Sequence, residues 1–260
     1  MNSVQTTKLQ VSGLRKVFKT GDGEVIALDN VTLNIDDGDF ISIIGTSGCG
    51  KTTLLRVIAG LENDFTGDIR LKDRPVAGPG TDRAVIFQEH RLLPWYTIEE
   101  NVGFGLKGKS GAEQRETVQQ CLRLVGLAGF EKAYPAQVSG GMAQRAAIAR
   151  ALVGKPEILL LDEPLGALDA LTRMYMQREL ERIWQQERST MIMVTHDIEE
   201  AIFLSDKVVV MSCRPGRVKK VIPVPLARPR DRAGYDFVKI KEEVLREFHL
   251  EAEHYFSYAI

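Results

Sequence analysis

Phe40-Ile41-Ser42-Ile43-Ile44, running directly into Gly45-Thr46-Ser47-Gly48-Cys49-Gly50-Lys51-Thr52, decides the fold. The first five residues are a short apolar, β-branched run, as a buried strand requires. The next eight fit the phosphate-loop pattern in full, and residues 51–60 continue with helical periodicity. Strand, glycine-rich loop and helix therefore follow in the order that phosphate binding needs. The glycines let successive amides converge on phosphate oxygens, and the helix N-terminus adds positive potential. Lys51 supplies a point charge, and the Thr52 hydroxyl is a ligand for Mg²⁺.

Working outward, Ile158-Leu159-Leu160-Leu161 is a second apolar run, and it ends in Asp162 and Glu163. A carboxylate at the end of a neighbouring strand is what a metal on the phosphates requires. Asp162 is expected to hold Mg²⁺ directly or through water. Glu163 is expected to orient and polarise the attacking water for in-line displacement at the γ-phosphate. Residues 84–87, 191–194 and 207–211 complete a set of buried-strand candidates, which predicts a parallel sheet with helices on both faces.

Residues 89–155 separate two of these strands and carry helical spacing, as in 111–125 and 140–154, so an inserted helical subdomain is expected. Residues 8–17 and 25–35 alternate apolar and polar positions around Gly21-Asp22-Gly23, predicting a small antiparallel sheet. After Met211 the prolines at 215, 223 and 225 argue against a central strand and predict a connecting extension. Within it, residues 236–248 place Phe237, Ile240, Val244, Leu245 and Phe248 on one helical face.

Composition bounds the rest. The chain has 260 residues, 44% hydrophobic and 27% charged, close to soluble globular averages. Lys and Arg number 34 against 35 Asp and Glu, so no global field draws the chain to nucleic acid, and no nucleic-acid partner is expected. Cys49, Cys121 and Cys213 share no metal-ligand spacing, which points to a reducing compartment. Residues 1–16 lack the apolar core of a secretory signal, so the mature chain is expected to start there, and no run reaches the length of a spanning helix. Cys49 stands near a helix N-terminus, where thiols become reactive, so alkylation is expected to inactivate the protein and ATP to protect it. The seven basic residues between Arg214 and Arg232, against Asp231 alone, read as a solvated extension.

Val138-Ser139-Gly140-Gly141-Met142, followed by Gln144-Arg145, resembles the signature segment of ABC-type ATPases, and the resemblance extends over residues 9–211. Ser139 reads as an N-cap, with the amides of Gly140 and Gly141 opening an alanine-rich helix. Val138 and Met142 depart from the usual leucine and glutamine, which affects only a side-chain contact from position 142. The resemblance implies a P-loop NTPase: an α/β fold with a RecA-like parallel core, an N-terminal antiparallel β subdomain and an inserted helical subdomain. It implies a nucleotide-binding domain over 1–220 (helical part about 89–155) and a C-terminal extension over 221–260. By the same resemblance Gln88 is the Q-loop glutamine that senses Mg²⁺ or lytic water, and Asp169 belongs to the D-loop. His196 is the switch histidine on the γ-phosphate, Phe18 stacks on adenine, and Thr53 joins the cofactor-binding set after Thr52.

In this family the signature loop reaches nucleotide on the opposite subunit. That implies a two-fold dimer, of identical copies or paralogues, with ATP and Mg²⁺ held between them. Leu92-Leu93-Pro94-Trp95-Tyr96, an apolar cluster after Gln88, is expected to dock a partner helix or to cap the helical subdomain's own core. Residues 88–95 and 212–217 resemble importers of the nitrate, sulfonate and taurine group. The implied partners are transmembrane permease subunits and, indirectly, a solute-binding protein, with this chain peripheral at the cytoplasmic face of the inner membrane. Import of another solute, a non-transport ABC ATPase and a small-metabolite kinase are the alternatives. The kinase leaves Ser139, Gly140, Gly141 and His196 without a use, and chromosome-type ATPases need long heptads that are absent here.

Overall fold

A computed structural model describes residues 7–21, 23–106 and 111–257, with side chains as far as residue 248. The chain divides into two compact units, one formed by the segment up to Pro79 and the segment from Thr190 onward, the other by Gly80–Ser189.

In the first unit, β1 (Thr7–Thr20) and β2 (Gly23–Asp36) pair antiparallel from Thr7 opposite Asp36 to Thr20 opposite Gly23. Their alternating pattern puts Leu9, Val11, Leu14, Val31 and Ile35 in the core. Asp22, the centre of the expected turn, lies outside the described residues. β4 (Thr66–Leu71) and the short β5 (Arg74–Pro75), neither foreseen from sequence, extend this sheet in the order β2-β1-β4-β5. The polar Thr66-Gly67-Asp68 start hides the two buried positions of β4, Ile69 and Leu71.

β3 (Phe40–Ile44) is fully buried and pairs in parallel with β8 (Thr190–Val194) and β9 (Lys207–Met211). Both β8 and β9 are apolar runs covered on two faces, the signature of a parallel sheet. β10 (Val218–Pro223) then pairs antiparallel with β9 at the edge of the sheet. Residues 218–223 are therefore a strand where a connection was expected, and Pro223 is tolerated because an edge strand has a free side. Helices α1 (Lys51–Ile58), α6 (Ile198–Leu204) and α7 (Tyr235–Ser257) complete the unit. α7 buries Phe237 and Val244, as its spacing predicted.

The second unit holds the parallel pair β6 (Arg83–Ile86) and β7 (Ile158–Asp162), with α2 (Ile98–Gly103), α3 (Gly111–Leu124), α4 (Gly140–Leu152) and α5 (Ala170–Glu187). Thr97 caps α2 in a reciprocal box with Glu100, and the Thr97 amide on that carboxyl holds it below the usual carboxylate range. Among the described residues, no helix is long and apolar enough to cross a membrane.

Candidate functional site

In the first unit the glycine-rich loop connects β3 to α1. Thr46, Ser47, Gly48 and Thr52 face solvent, while Gly45 and Cys49 are buried. α2, α4, α5 and α6 each have a side-chain oxygen capping the N-terminus, whereas Gly50 caps α1 with no side-chain bond. A helix start without a side-chain acceptor leaves its amides for an external anion. Gly50 sits at φ 90°, and a Cβ there would lie 2.8 Å from the Ala27 carbonyl oxygen, so backbone and space both demand glycine. Lys51, only 7% exposed, donates to the carbonyl oxygens of Gly45 and Thr46 at 2.8 and 3.0 Å, which holds its ammonium against the loop.

Cys49 is not the accessible thiol expected from its position. It is fully buried, and a Cβ on Gly45 would stand 2.5 Å from its sulfur. The loop turns the side chain inward, with the Lys51 ammonium 3.8 Å from its sulfur. Sequence reasoning also missed Gly216, whose amide donates to Ala27 at 3.1 Å and whose carbonyl accepts from Asp29 at 3.0 Å. These bonds lay Gly216 against the phosphate loop, where a Cβ would overlap the carbonyl oxygen of Cys49. The Pro215-Gly216 dipeptide signals a turn but not its contact.

Phe18 is half-buried on β1, with the Lys16 ammonium 4.7 Å from its ring centroid. His196 is exposed between β8 and α6. Around it, Thr195 Oγ1 donates to Glu200 Oε2 at 2.5 Å and accepts from the Asp197 amide at 3.1 Å. Asp197 in turn caps α6 by accepting from the Glu200 amide at 3.0 Å. The histidine is thus bracketed by a closed polar network.

In the second unit, β7 delivers Asp162 and Glu163 half-buried at its end. Glu163 takes φ 46°, a left-handed conformation that non-glycine residues rarely adopt. The Gly166 amide donates to its carbonyl at 3.1 Å, and a Cβ on Gly166 would meet Gln88 Nε2 at 3.5 Å and Glu163 Oε2 at 3.7 Å. Gln88, Glu163 and Gly166 are therefore neighbours.

Ser139 caps α4, its hydroxyl accepting from the Met142 amide at 3.3 Å. A Cβ on Gly141 would meet Thr172 Cγ2 at 2.9 Å, and the Thr172 amide donates to Asp169 at 3.1 Å, so Gly141 and Asp169 adjoin through Thr172. A Cβ on Gly140 would meet nothing within 4 Å.

Two more residues escaped sequence reasoning. Arg150, on α4, donates to the carbonyl oxygens of Arg91 and His90 at 2.8 and 3.0 Å, tying the helix to the segment after Gln88. Fully buried Asn101 accepts from the Leu93 amide at 2.7 Å and donates to the carbonyls of Leu93, Tyr96 and Thr97, fixing the loop between them. On that loop Leu92 is buried, whereas Trp95 is 67% exposed beside Tyr96 and the exposed Phe104. Burial thus assigns Leu92 to the core and leaves Trp95 exposed.

The basic segment is solvated only in part, with Arg214 and Arg217 exposed. Lys219 and Lys220 pair with Glu247 and Lys220 also with Glu243, while Arg217 pairs with Asp29, Arg228 with Asp206, and Arg230 is buried.

The sequence model of the ABC transporter family matches residues 28–166, which spans the phosphate loop, the signature segment and β7. The chain belongs to the ABC transporter family. An uncharacterised ABC transporter ATP-binding protein of Methanocaldococcus jannaschii is 49% identical over 92% of this chain and 90% of its own length. Aliphatic sulfonates import ATP-binding proteins of Bacillus cereus and Bacillus subtilis are 47% and 45% identical, each over 92% of this chain and over 95% and 93% of their own lengths. Among solved structures, an ATP-binding cassette dimer bound to ADP and phosphate superposes with TM-score 0.72 at 32% identity, covering 84% of this chain and all of its own. cbiO1 of Clostridium perfringens, part of the transporter complex cbiONQ, gives TM-score 0.76 at 26% identity over 94% of this chain and 98% of its own. This ABC cassette is a P-loop NTPase that binds and hydrolyses ATP.

Proposed function

We propose that this cassette is the ATP-hydrolysing subunit of an importer for small anions, with aliphatic sulfonates as cargo. The names of the Bacillus relatives support that cargo. Its partners are transmembrane permease subunits, a second cassette, identical or paralogous, and indirectly a solute-binding protein, with the chain peripheral at the cytoplasmic face of the membrane.

The carrying observation is the start of α4. Ser139 caps it, yet a Cβ on Gly140 would meet no atom of the described residues within 4 Å. A helix start whose Ser139 and Gly140 are exposed, with room for close approach, suits an anion delivered from outside, the triphosphate seated on a second cassette. The post-hydrolysis relative is itself a dimer. In this reading Gly45 to Thr53 cradle the phosphates, Phe18 stacks on the base, and Ser139, Gly140, Gly141 and Asp169 act across the dimer.

Glu163 polarises the attacking water, while Gln88 and His196 sense the γ-phosphate end. Thr52, Asp162 and Gln88 are hard oxygen donors of the kind Mg²⁺ accepts alongside water and substrate phosphates, and they would hold it. When bound, the ion neutralises charge on the phosphates. Hydrolysis removes contacts made by the serine-capped loop and reopens the dimer, and Trp95 passes that motion to the permease.

Glu163→Gln with Ser139→Cys tests the reading. With ATP the variant should run as a dimer on gel filtration, and the cysteine should crosslink to a photoreactive ATP held by the other copy. A monomer that never crosslinks would overturn it, and one that phosphorylates an added metabolite would favour a kinase.

A further inference from the structure

α6 has seven residues, too few to hold together by helix propensity alone. Its terminal carbonyls need partners, and most come from the C-terminal extension. Arg230, whose side chain is 1% exposed, donates from Nη1 to the carbonyl oxygens of Ile202, Phe203 and Ser205 at 2.5, 3.1 and 2.7 Å. Its Nη2 and Nε reach back to the Val224 and Leu226 carbonyls at 3.2 and 3.4 Å. Arg228 takes the Leu204 carbonyl at 2.6 Å and Asp206 at 2.7 Å. Arg232 stacks 4.5 Å from the Phe203 ring centroid, and Lys241 of α7 bonds Glu199 at 2.5 Å.

These contacts converge on the helix whose other end carries the Thr195-Asp197-Glu200 network around His196. A rigid two-turn helix held at its C-terminus by a buried cation has its N-terminus fixed as well, because the ladder between them cannot slide without breaking charged hydrogen bonds. We propose that the C-terminal extension is a clamp on α6 and that Arg230 is a positioning residue for His196 in ATP hydrolysis. The inference rests on the role given above to His196. The guanidinium supplies donors in a fixed fork to five carbonyls, which a lysine ammonium does not match.

The test compares Arg230→Met and Arg230→Lys with the parent, each with and without His196→Ala, by single-turnover and steady-state ATP hydrolysis normalised to nucleotide-binding sites. Arg230→Met should lower kcat on the order of tenfold to hundredfold with KM within about twofold, as misplacement of a reacting group does. Arg230→Lys should recover part of the loss. With His196→Ala present, Arg230→Met should cost nothing further. Unchanged kcat per site in Arg230→Met, or the same fold loss with and without His196, would overturn the clamp and assign Arg230 to stability alone. Full turnover in His196→Ala would instead remove the role of His196 itself. If Arg230→Met does not fold, Arg228→Met, which keeps the five Arg230 bonds, and Arg230→Lys, which keeps the cation, are read by the same criteria.

Discussion

The Gly166 amide closes a turn on the carbonyl of Glu163, and Glu163 pays for that turn with φ 46°. A non-glycine residue held there stores strain of order 1 kcal/mol, which rigid surroundings must offset. Strain at the residue assigned to polarise water separates stability from activity. Glu163→Gly should therefore keep or raise the melting temperature while lowering hydrolysis by about a hundredfold or more. Calorimetry and ATPase assays on one preparation check both, and a lower melting temperature would count against stored strain.

Gly216 presses on the phosphate loop from a segment far along the chain. Because a Cβ there overlaps the Cys49 carbonyl, a backbone atom that cannot swing aside, Gly216→Ala must displace the loop. We expect about tenfold weaker ATP binding, roughly 1.4 kcal/mol, by isothermal titration. Unchanged affinity would show that the loop accommodates the methyl group.

Thiol chemistry should follow burial. Cys121 and Cys213 are partly exposed and Cys49 is not, so maleimide should label the first two on the folded chain and Cys49 only after denaturation. Peptide mass spectrometry resolves the three sites. Fast labelling of Cys49 that ATP blocks would restore the expectation drawn from its sequence position.

Asp169 sets a limit at acid pH. The Thr172 hydroxyl first, then the Thr172 and Leu171 amides, hold its carboxyl below the ordinary value of 3.8. A depressed folded-state value contributes stability that is present above 3.8 and lost as pH falls through the folded value. The advantage of the parent over Asp169→Asn in urea unfolding should hold from pH 7 to 5 and shrink below pH 3.8. A difference that grows on acidification would invert the assignment.

Sequence alone determined the chemistry that is contiguous: the strand entering Gly45, the helix leaving Lys51, the acids ending β7 and the serine opening α4. Each of these is a local backbone conformation plus a side-chain type, and both are written in neighbouring residues. Tertiary structure alone decided where the charges of the extension go. Arg228 and Arg230 read as solvated because isolated cations avoid burial, and only the folded chain gathers the carbonyls at the end of α6 that make burial favourable. The inward turn of Cys49, the approach of Gly216 and the hold of Arg150 on the segment after Gln88 belong to the same class. Their partners are remote in the chain, and packing, unlike periodicity, has no signature that one strand or helix carries by itself.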